Sequence, residues 1–368
     1  NVAMVGRLTV DAKLKPLKMR IRGFARHDGV DRERSALFPE EAWLEYKKDS
    51  VRVRLGYQML NWTATEAFHP ADIINSRYFD GNVQNPEKLG ELMASARLKF
   101  LDGNVEGYFM PLFTEPVLPS SNSRYRFAPL GTRLGDTLVI DREGEITDDR
   151  WFPQWGLRVQ QTVGDGDISA HIVQHIDRSL PLVLFDPMTM TPHATYQAVT
   201  QLGGTYQHVL DPVIIKVEGA YRWFKDPEQP PGQPVPNRNH GLLAVGLEYG
   251  FGHESGGEST FLAEAQSAFG LDESVEGLLL FQRDALFGYS YAHGEVSDQS
   301  FTFSLIIDLV SPEQYFSSIE YGRRIGETWR AQLGMRLIQF PPEDPDNPVG
   351  PEFLNNANYG YVHLTRFF

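Results

Sequence analysis

Apolar and charged positions alternate from Leu17 onward: Leu17, Met19, Ile21, Gly23 and Ala25 interleave with Lys18, Arg20, Arg22 and Arg26. A period of two puts the two sets on opposite faces of a strand. The pattern returns as Val51, Val53, Leu55, Tyr57 and Met59 against Arg52, Arg54 and Gln58, and as Ala94, Ala96, Leu98 and Phe100 against Ser95, Arg97 and Lys99. Leu157, Val159 and Val163 then lead through Gly164-Asp165-Gly166-Asp167 into Ile168, Ala170, Ile172 and Ile176, which predicts a hairpin with a tight polar turn. Equivalent runs are Ile215 to Trp223, Leu243 to Phe251, Phe301 to Leu309 and Trp329 to Leu337. Roughly 16 to 18 segments of about 10 residues result, the length that crosses a bilayer when tilted, and none reads as a long helix.

The connections sharpen this picture. Short turns at Lys15-Pro16, Lys48-Asp49-Ser50, Asp102-Gly103-Asn104, Gly164 to Asp167 and Asp211-Pro212 alternate with long polar loops around 62–90, 115–150, 178–191, 225–239 and 341–356. Such asymmetry is expected of a transmembrane barrel, whose turns are short on the periplasmic rim and long outside. A soluble propeller would repeat a motif of about 40 residues, and the chain has no such repeat. The expected architecture is therefore all-β: one closed antiparallel transmembrane β-barrel over residues 1–368, of about 16–18 strands; the segment count itself comes out odd, and since single-chain barrels have even numbers, 16 or 18 is expected with one element, such as the terminal strand, miscounted. In lipid a closed sheet pairs every backbone N–H and C=O, and its apolar outer face needs no second layer. Tyr57, Trp62, Phe109, Phe113, Trp155, Tyr221, Trp223, Tyr289, Tyr291, Tyr321, Trp329 and Tyr361 lie near strand ends, where they are expected to form interfacial girdles.

Composition narrows the function. The chain carries 34 basic and 48 acidic side chains, a net charge of -14, which argues against nucleic acid as a partner. It has no cysteine, which excludes disulfides, thiolate catalysis and cysteine-ligated metals. Apolar stretches such as Leu180 to Phe185 fall far short of the roughly 20 residues of a membrane helix. Met4, Arg7 and Asp11 interrupt any leader-like segment at Asn1, as expected of a chain that starts after a removed leader.

Gly360, Val362 and Leu364 alternate toward a terminal Phe368, an ending that resembles the signal read by the barrel-assembly machinery in bacterial outer-membrane proteins. Arg366 departs from that pattern, which usually has an apolar or aromatic residue there. Arg54-Leu55-Gly56-Tyr57-Gln58, followed by Asn61-Trp62, Glu66, Phe68, Pro70, Asp72 and Asn75, resembles an uncharacterised family of proteobacterial outer-membrane barrels often encoded beside lipid or steroid transport systems. The stretch is also similar to bacterial porins more generally, although the family usually has a basic residue where Tyr57 stands. The resemblance implies passage of a solute or lipid-like molecule without catalysis.

A barrel of this size has a lumen too wide for its own side chains to fill, so charged positions are expected to line water. The candidate lining comprises Arg20, Arg22, Arg26, Arg52, Arg54, Arg97 and Lys99, joined by Arg7, Lys13 and Lys18 and, late in the chain, by Arg330 and Arg336. Such a wall favours anionic or zwitterionic solutes, unless carboxylates such as Asp11, Glu45 and Glu106 brace it into neutrality. One long loop is expected to fold inward as a constriction: either 115–150, with Arg124, Arg126, Arg133, Asp136 and Asp141, or 62–90. Ser169, His171, His175 and Asp177 share a face and invite a hydrolase reading, but strand neighbours two apart do not make a triad. Asp344-Pro345-Asp346-Asn347 has too few regularly spaced oxygens for calcium. Neither catalysis, metal nor cofactor is expected. The expected partners are membrane lipid and lipopolysaccharide, small solutes, and in one alternative an envelope protein complex for which the barrel acts as a scaffold or lipid conduit. A soluble β-rich binding protein is the remaining alternative.

Overall fold

A computed structural model describes residues 2–79, 86–127, 129, 131–225, 235, 238–271, 277–294, 298–342, 344–346, 348 and 350–367. Its strands are β1 (Ala3–Leu14), β2 (Leu17–Asp28), β3 (Ala36–Lys48), β4 (Val51–Gln58), β5 (Arg77–Tyr78), β6 (Glu87–Lys88), β7 (Glu91–Phe100), β8 (Gly103–Met110), β9 (Leu138–Ile140), β10 (Ile146–Thr147) and β11 (Gln154–Val163). They continue as β12 (Gly166–Ile176), β13 (Leu182–Phe185), β14 (Pro192–Leu210), β15 (Val213–Phe224), β16 (His240–Gly252), β17 (Gly257–Phe269), β18 (Arg283–His293), β19 (Gln299–Asp308), β20 (Tyr315–Ile325), β21 (Trp329–Gln339) and β22 (Tyr359–Arg366).

Among the described residues, seventeen long strands form one antiparallel meander, from β1 through β2, β3, β4, β7, β8, β11 and β12 to β14 and then strand by strand to β22. Tight turns join β1 to β2, β3 to β4, β7 to β8, β11 to β12 and β14 to β15 on one rim, and the long loops leave the other. On the long-loop rim β14 is 19 residues long; its upper part is extended by β13 and, in parallel, by β9, which pairs with β10.

The alternation resolves into an apolar exterior and a charged interior. Leu17, Ile21, Leu55, Leu157, Val245 and Leu333 point outward and are exposed, Leu333 by 60%. Glu45, Glu106, Lys216, Glu218, Arg222 and Glu264 are buried on the inner face. A soluble barrel would have the reverse arrangement, so the outward apolar faces fit a lipid surround.

The seventeen long strands among the described residues lie within the expected 16 to 18 and are odd in number, as the sequence segments are. With seventeen strands, β1 and β22 both run from the long-loop rim to the short-turn rim, so they cannot form an antiparallel ladder, and none joins them among the described residues.

In β3 the register shifts opposite Arg22 and Gly23, which leaves Glu40 as an extra residue. This bulge turns both Glu40 and Glu41 inward, where Arg22 (2.7 Å) and Arg20 (3.3 Å) meet them. Across the ladder, Gly56 takes φ +118° against the Ala42 carbonyl, where a Cβ would collide.

Candidate functional site: a bridged lumen

The inner wall of the first strands is a mesh of cross-strand ion pairs. Arg20 reaches Asp11 at 2.8 Å and Glu41 at 3.3 Å, and Arg22 and Arg7 share Glu40 at 2.7 and 3.0 Å. Arg26 pairs with Asp28, Arg54 with Glu45 at 2.6 Å, and Arg97 with Glu106. Arg52 lies 3.9 Å from both Glu45 and Glu106. Lys99 is exposed near the short-turn rim. Arg330 and Arg336 belong to the opposite wall, Arg330 on Asp298 (2.9 Å) and Ser300, Arg336 stacked 5.5 Å from the Tyr361 ring. The structure thus brings Arg20, Arg22, Arg52, Arg54 and Arg97 onto one wall and separates them from Arg330 and Arg336.

The chain that leaves β4 crosses the interior instead of staying on the rim. Asn75 pins its start, accepting from the Leu60 N–H at 2.8 Å and donating to the Gln58 and Leu89 carbonyls. Trp62 is 2% exposed, against Tyr108 of β8 and 4.9 Å from the His171 ring of β12. Farther on, Glu218 of β15 accepts from the N–H groups of Ala64, Thr65 (2.9 Å) and Ala71 (3.3 Å) and from the Thr65 hydroxyl (2.8 Å). Glu264 of β17 accepts from the N–H groups of Glu66 (2.6 Å) and Ala67 (2.9 Å). Two buried wall carboxylates therefore satisfy the backbone of residues 64–71, which belong to no strand. Lys216 ties the Glu66 side chain to Glu248, and Gln201 donates to the Pro70 carbonyl.

Asp72, in the same segment, accepts from Arg77 (2.9 Å) and Lys88 (2.6 Å). Burial raises the pKa of its carboxyl, but the two cations outweigh burial and hold it below the ordinary carboxylate value. Lys88 also donates to the Leu60 carbonyl at 2.6 Å, which locks the crossing segment to its return strand.

Against this segment lie two cavities. One, of about 250 Å³, is lined by Arg52, Arg54, Arg97, Arg158, Glu106, Asn61, Ser95, Trp62 and Tyr108. The other, of about 580 Å³, lies on the far side of Met59, Leu60 and Asn61 and is lined by Arg22, Glu40, Glu41, Arg77, Glu87 and Lys88. Toward the long-loop rim of the opposite wall the interior is apolar: Phe68 of the crossing segment packs with Ala244, Leu286, Ile306, Phe316, Ile338, Phe340 and Leu354, joined by Tyr125 from the 115–150 loop.

Other sequence expectations divide. Tyr125 descends into that apolar cluster, whereas Arg124 sits over Tyr359 (4.9 Å) and Arg126 donates to the Ser123 carbonyl. Arg133 and Asp136 are exposed, and Asp141 accepts the N–H groups of Glu143, Gly144 and Glu145 in a turn of its own. Ser169 bonds Thr205, His171 bonds Gln201, and His175 meets Arg178, while Asp177 faces Arg222 and Arg238, so these four bond elsewhere and not to one another. Among the described residues no group of three His, Asp or Glu side chains is placed to hold a metal. Asn347 and Phe368 lie outside the described residues. The girdle assignment needs correction at three places: Trp62 and Phe113 are buried, and Tyr361 turns inward to donate to Glu320 (2.5 Å), because each follows the inward parity or leaves the strand. Sequence reading missed Glu218, Glu264 and Lys216, whose only local signal is an inward position on an ordinary strand.

No protein-family model matches the chain, and no curated protein does. Among solved structures, Wzi of Escherichia coli, an outer-membrane protein involved in group 1 capsule assembly and a carbohydrate-binding β-barrel, is similar with a TM-score of 0.50 at 8% identity, over 91% of this chain and 73% of that one. The outer-membrane channel DcaP of Acinetobacter baumannii is similar with a TM-score of 0.47 at 11% identity, over 98% of this chain and 83% of that one. OccK10 of Pseudomonas aeruginosa gives 0.46 at 9%, over 100% and 92%. At such identities the likeness to Wzi shows the fold alone, that of an outer-membrane β-barrel.

Proposed function

We propose that the chain is a passive channel in the bacterial outer membrane, a single barrel domain over residues 1–368, closed around its lumen, that passes small anionic or zwitterionic solutes without chemical change. The observation that carries this reading is the set of guanidinium groups on the inner faces of β2, β4, β7 and β11, beside the two cavities. Low-dielectric walls focus the field of such groups along the path. The crossing segment of residues 59–78 is the constriction, so a solute passes on the charged side of it. Planar-bilayer recording under a KCl gradient tests the reading: a reversal potential on the chloride side is expected, and a cation-selective or silent barrel overturns it.

The filled apolar wall around Phe68 and Phe316 favours a second reading, an outer-membrane scaffold or lipid conduit working with an envelope partner. The resemblance of residues 54–75 to barrels encoded beside lipid or steroid transport systems points the same way. Co-purification of an envelope complex with a silent barrel would select it.

A further inference from the structure

We propose that the cavity beneath Trp62 is a binding site for a small dianion: a solute with two negative charges close together, of the kind carried by a short dicarboxylate or a phosphate group. The inference rests on the channel reading and specifies its solute.

The argument is a count of charge. Four guanidinium groups, from Arg52, Arg54, Arg97 and Arg158, line one cavity of about 250 Å³. Two wall carboxylates serve them. Glu45 pairs with Arg54 at 2.6 Å, Glu106 pairs with Arg97, and Arg52 lies 3.9 Å from each. Arg158 has no carboxylate within ion-pair distance among the described residues; it donates to the Ser169 hydroxyl at 3.3 Å and lies over the Trp62 ring at 5.3 Å.

Two further acids act on Arg158 from beyond ion-pair distance. Asp72 faces both Arg77 and Lys88, and Glu218 accepts from the backbone of the crossing segment. The four guanidinium groups therefore carry two more charges than the carboxylates at ion-pair distance from them supply. Confinement by the crossing segment keeps them from full hydration, which makes their repulsion costly until an anion enters. Guanidinium forks suit carboxylate and phosphate oxygens bidentately, and the Asn61 and Ser95 side chains add polar partners. A monoanion would neutralise half of the surplus.

Isothermal titration calorimetry on the detergent-folded full chain at low salt tests this with succinate, inorganic phosphate and acetate. Saturable one-to-one binding of succinate or phosphate is expected, about tenfold or more tighter than acetate. Tighter succinate identifies the dicarboxylate, tighter phosphate the phosphate group. Arg158→Gln should weaken the dianion about tenfold toward the acetate level, Arg158→Lys less, and Arg150→Gln on the rim not at all. Heat-modifiable gel migration confirms that each variant is folded; if Arg158→Gln does not fold, the ligand series on the unaltered chain decides. Dianions that bind no tighter than acetate, or an unchanged affinity in folded Arg158→Gln, overturn the proposal. Chloride current without dianion preference overturns the site and leaves the channel reading; dianion binding to a silent barrel supports the site and removes the channel reading.

Discussion

On the side of β1 to β12, inward positions hold Arg20, Arg22, Arg54, Arg97, Glu41, Glu45 and Glu106, paired across strands and leaving cavities against the crossing segment. On the side of β16 to β21, inward positions toward the long-loop rim hold Ala244, Leu286, Ile306, Phe316 and Ile338, and loop side chains such as Phe68, Phe281 and Phe340 pack onto them, while lower positions of the same strands hold Glu264, Glu320, Arg330 and Arg336. Both walls alternate with the same period and face the same interior, so alternation alone does not decide whether a lumen is open. Charged heads keep water beside them, whereas apolar groups draw loops down until the space is filled. On the channel reading proposed above, the free path runs along the charged wall, and the crossing segment divides the two regions.

That division depends most on Glu218. It accepts three backbone N–H groups and the Thr65 hydroxyl from the crossing segment. Hydrogen bonds to a charged acceptor are worth about 1.5–3 kcal/mol each, so Glu218→Ala should cost the segment about 5 kcal/mol of anchoring and leave buried donors unpaired. Single-channel conductance should rise and trypsin should cleave sooner at Arg77. Conductance and cleavage unchanged from the unaltered chain would show that the segment is held from elsewhere.

The apolar wall should answer differently. Phe316 is 2% exposed between Phe281 (5.7 Å between centroids) and Phe340 (4.8 Å). Phe316→Ala should destabilise the barrel by about 4 kcal/mol in urea unfolding from lipid vesicles, as buried aromatic truncations do. Its reversal potential should stay where it was, because no charge has moved. A shift in selectivity would mean that the filled side also lies on the solute path.

Strands were legible because lipid and water impose opposite demands on neighbouring residues. Leu17 to Arg26 and Trp329 to Leu337 display that demand residue by residue, and β2 and β21 follow it. What crosses the lumen was not legible, since Glu218 and Thr65 are 153 positions apart and nothing local marks a carboxylate that will accept backbone N–H groups. Trp62 read as a girdle residue because it stands just past a strand end; the chain turns inward there, so the same amphipathic side chain serves as an interior anchor. The β3 bulge has a visible trace in the adjacent acids Glu40 and Glu41, which break the alternation. Counted along the sequence the segments come out odd, as the long strands do among the described residues; how the ring closes has no local trace, because each strand satisfies its own two faces whatever the total.

Acid should act on the crossing segment through Asp72. Because Asp72 titrates below its ordinary value in the folded chain, its contribution is complete above the ordinary carboxylate pKa and disappears as pH falls through the lowered one. Asp72→Asn should imitate that loss at pH 7, costing about 2 kcal/mol by leaving Arg77 and Lys88 unpaired. The part of the conductance that Asp72 controls should hold from neutral pH to the ordinary carboxylate range and change only below it, and the variant should lack that acid step. An identical acid step in the variant would assign it to another group.

The finest distinction is electrostatic. Glu106→Gln and Glu320→Gln remove the same charge from opposite walls: Glu106 faces Arg97 and Arg52, whereas Glu320 is held by Tyr361 (2.5 Å) and Gln332 (2.8 Å). With a Debye length of about 10 Å at 0.1 M salt, an ion passing along the arginine wall senses the first site far more than the second. Glu106→Gln should move the reversal potential toward chloride by an amount worth less than about 1 kcal/mol, and Glu320→Gln should move it less. Matching shifts would place the path midway between the walls, in a lumen whose two sides differ in packing but not in the field a solute meets.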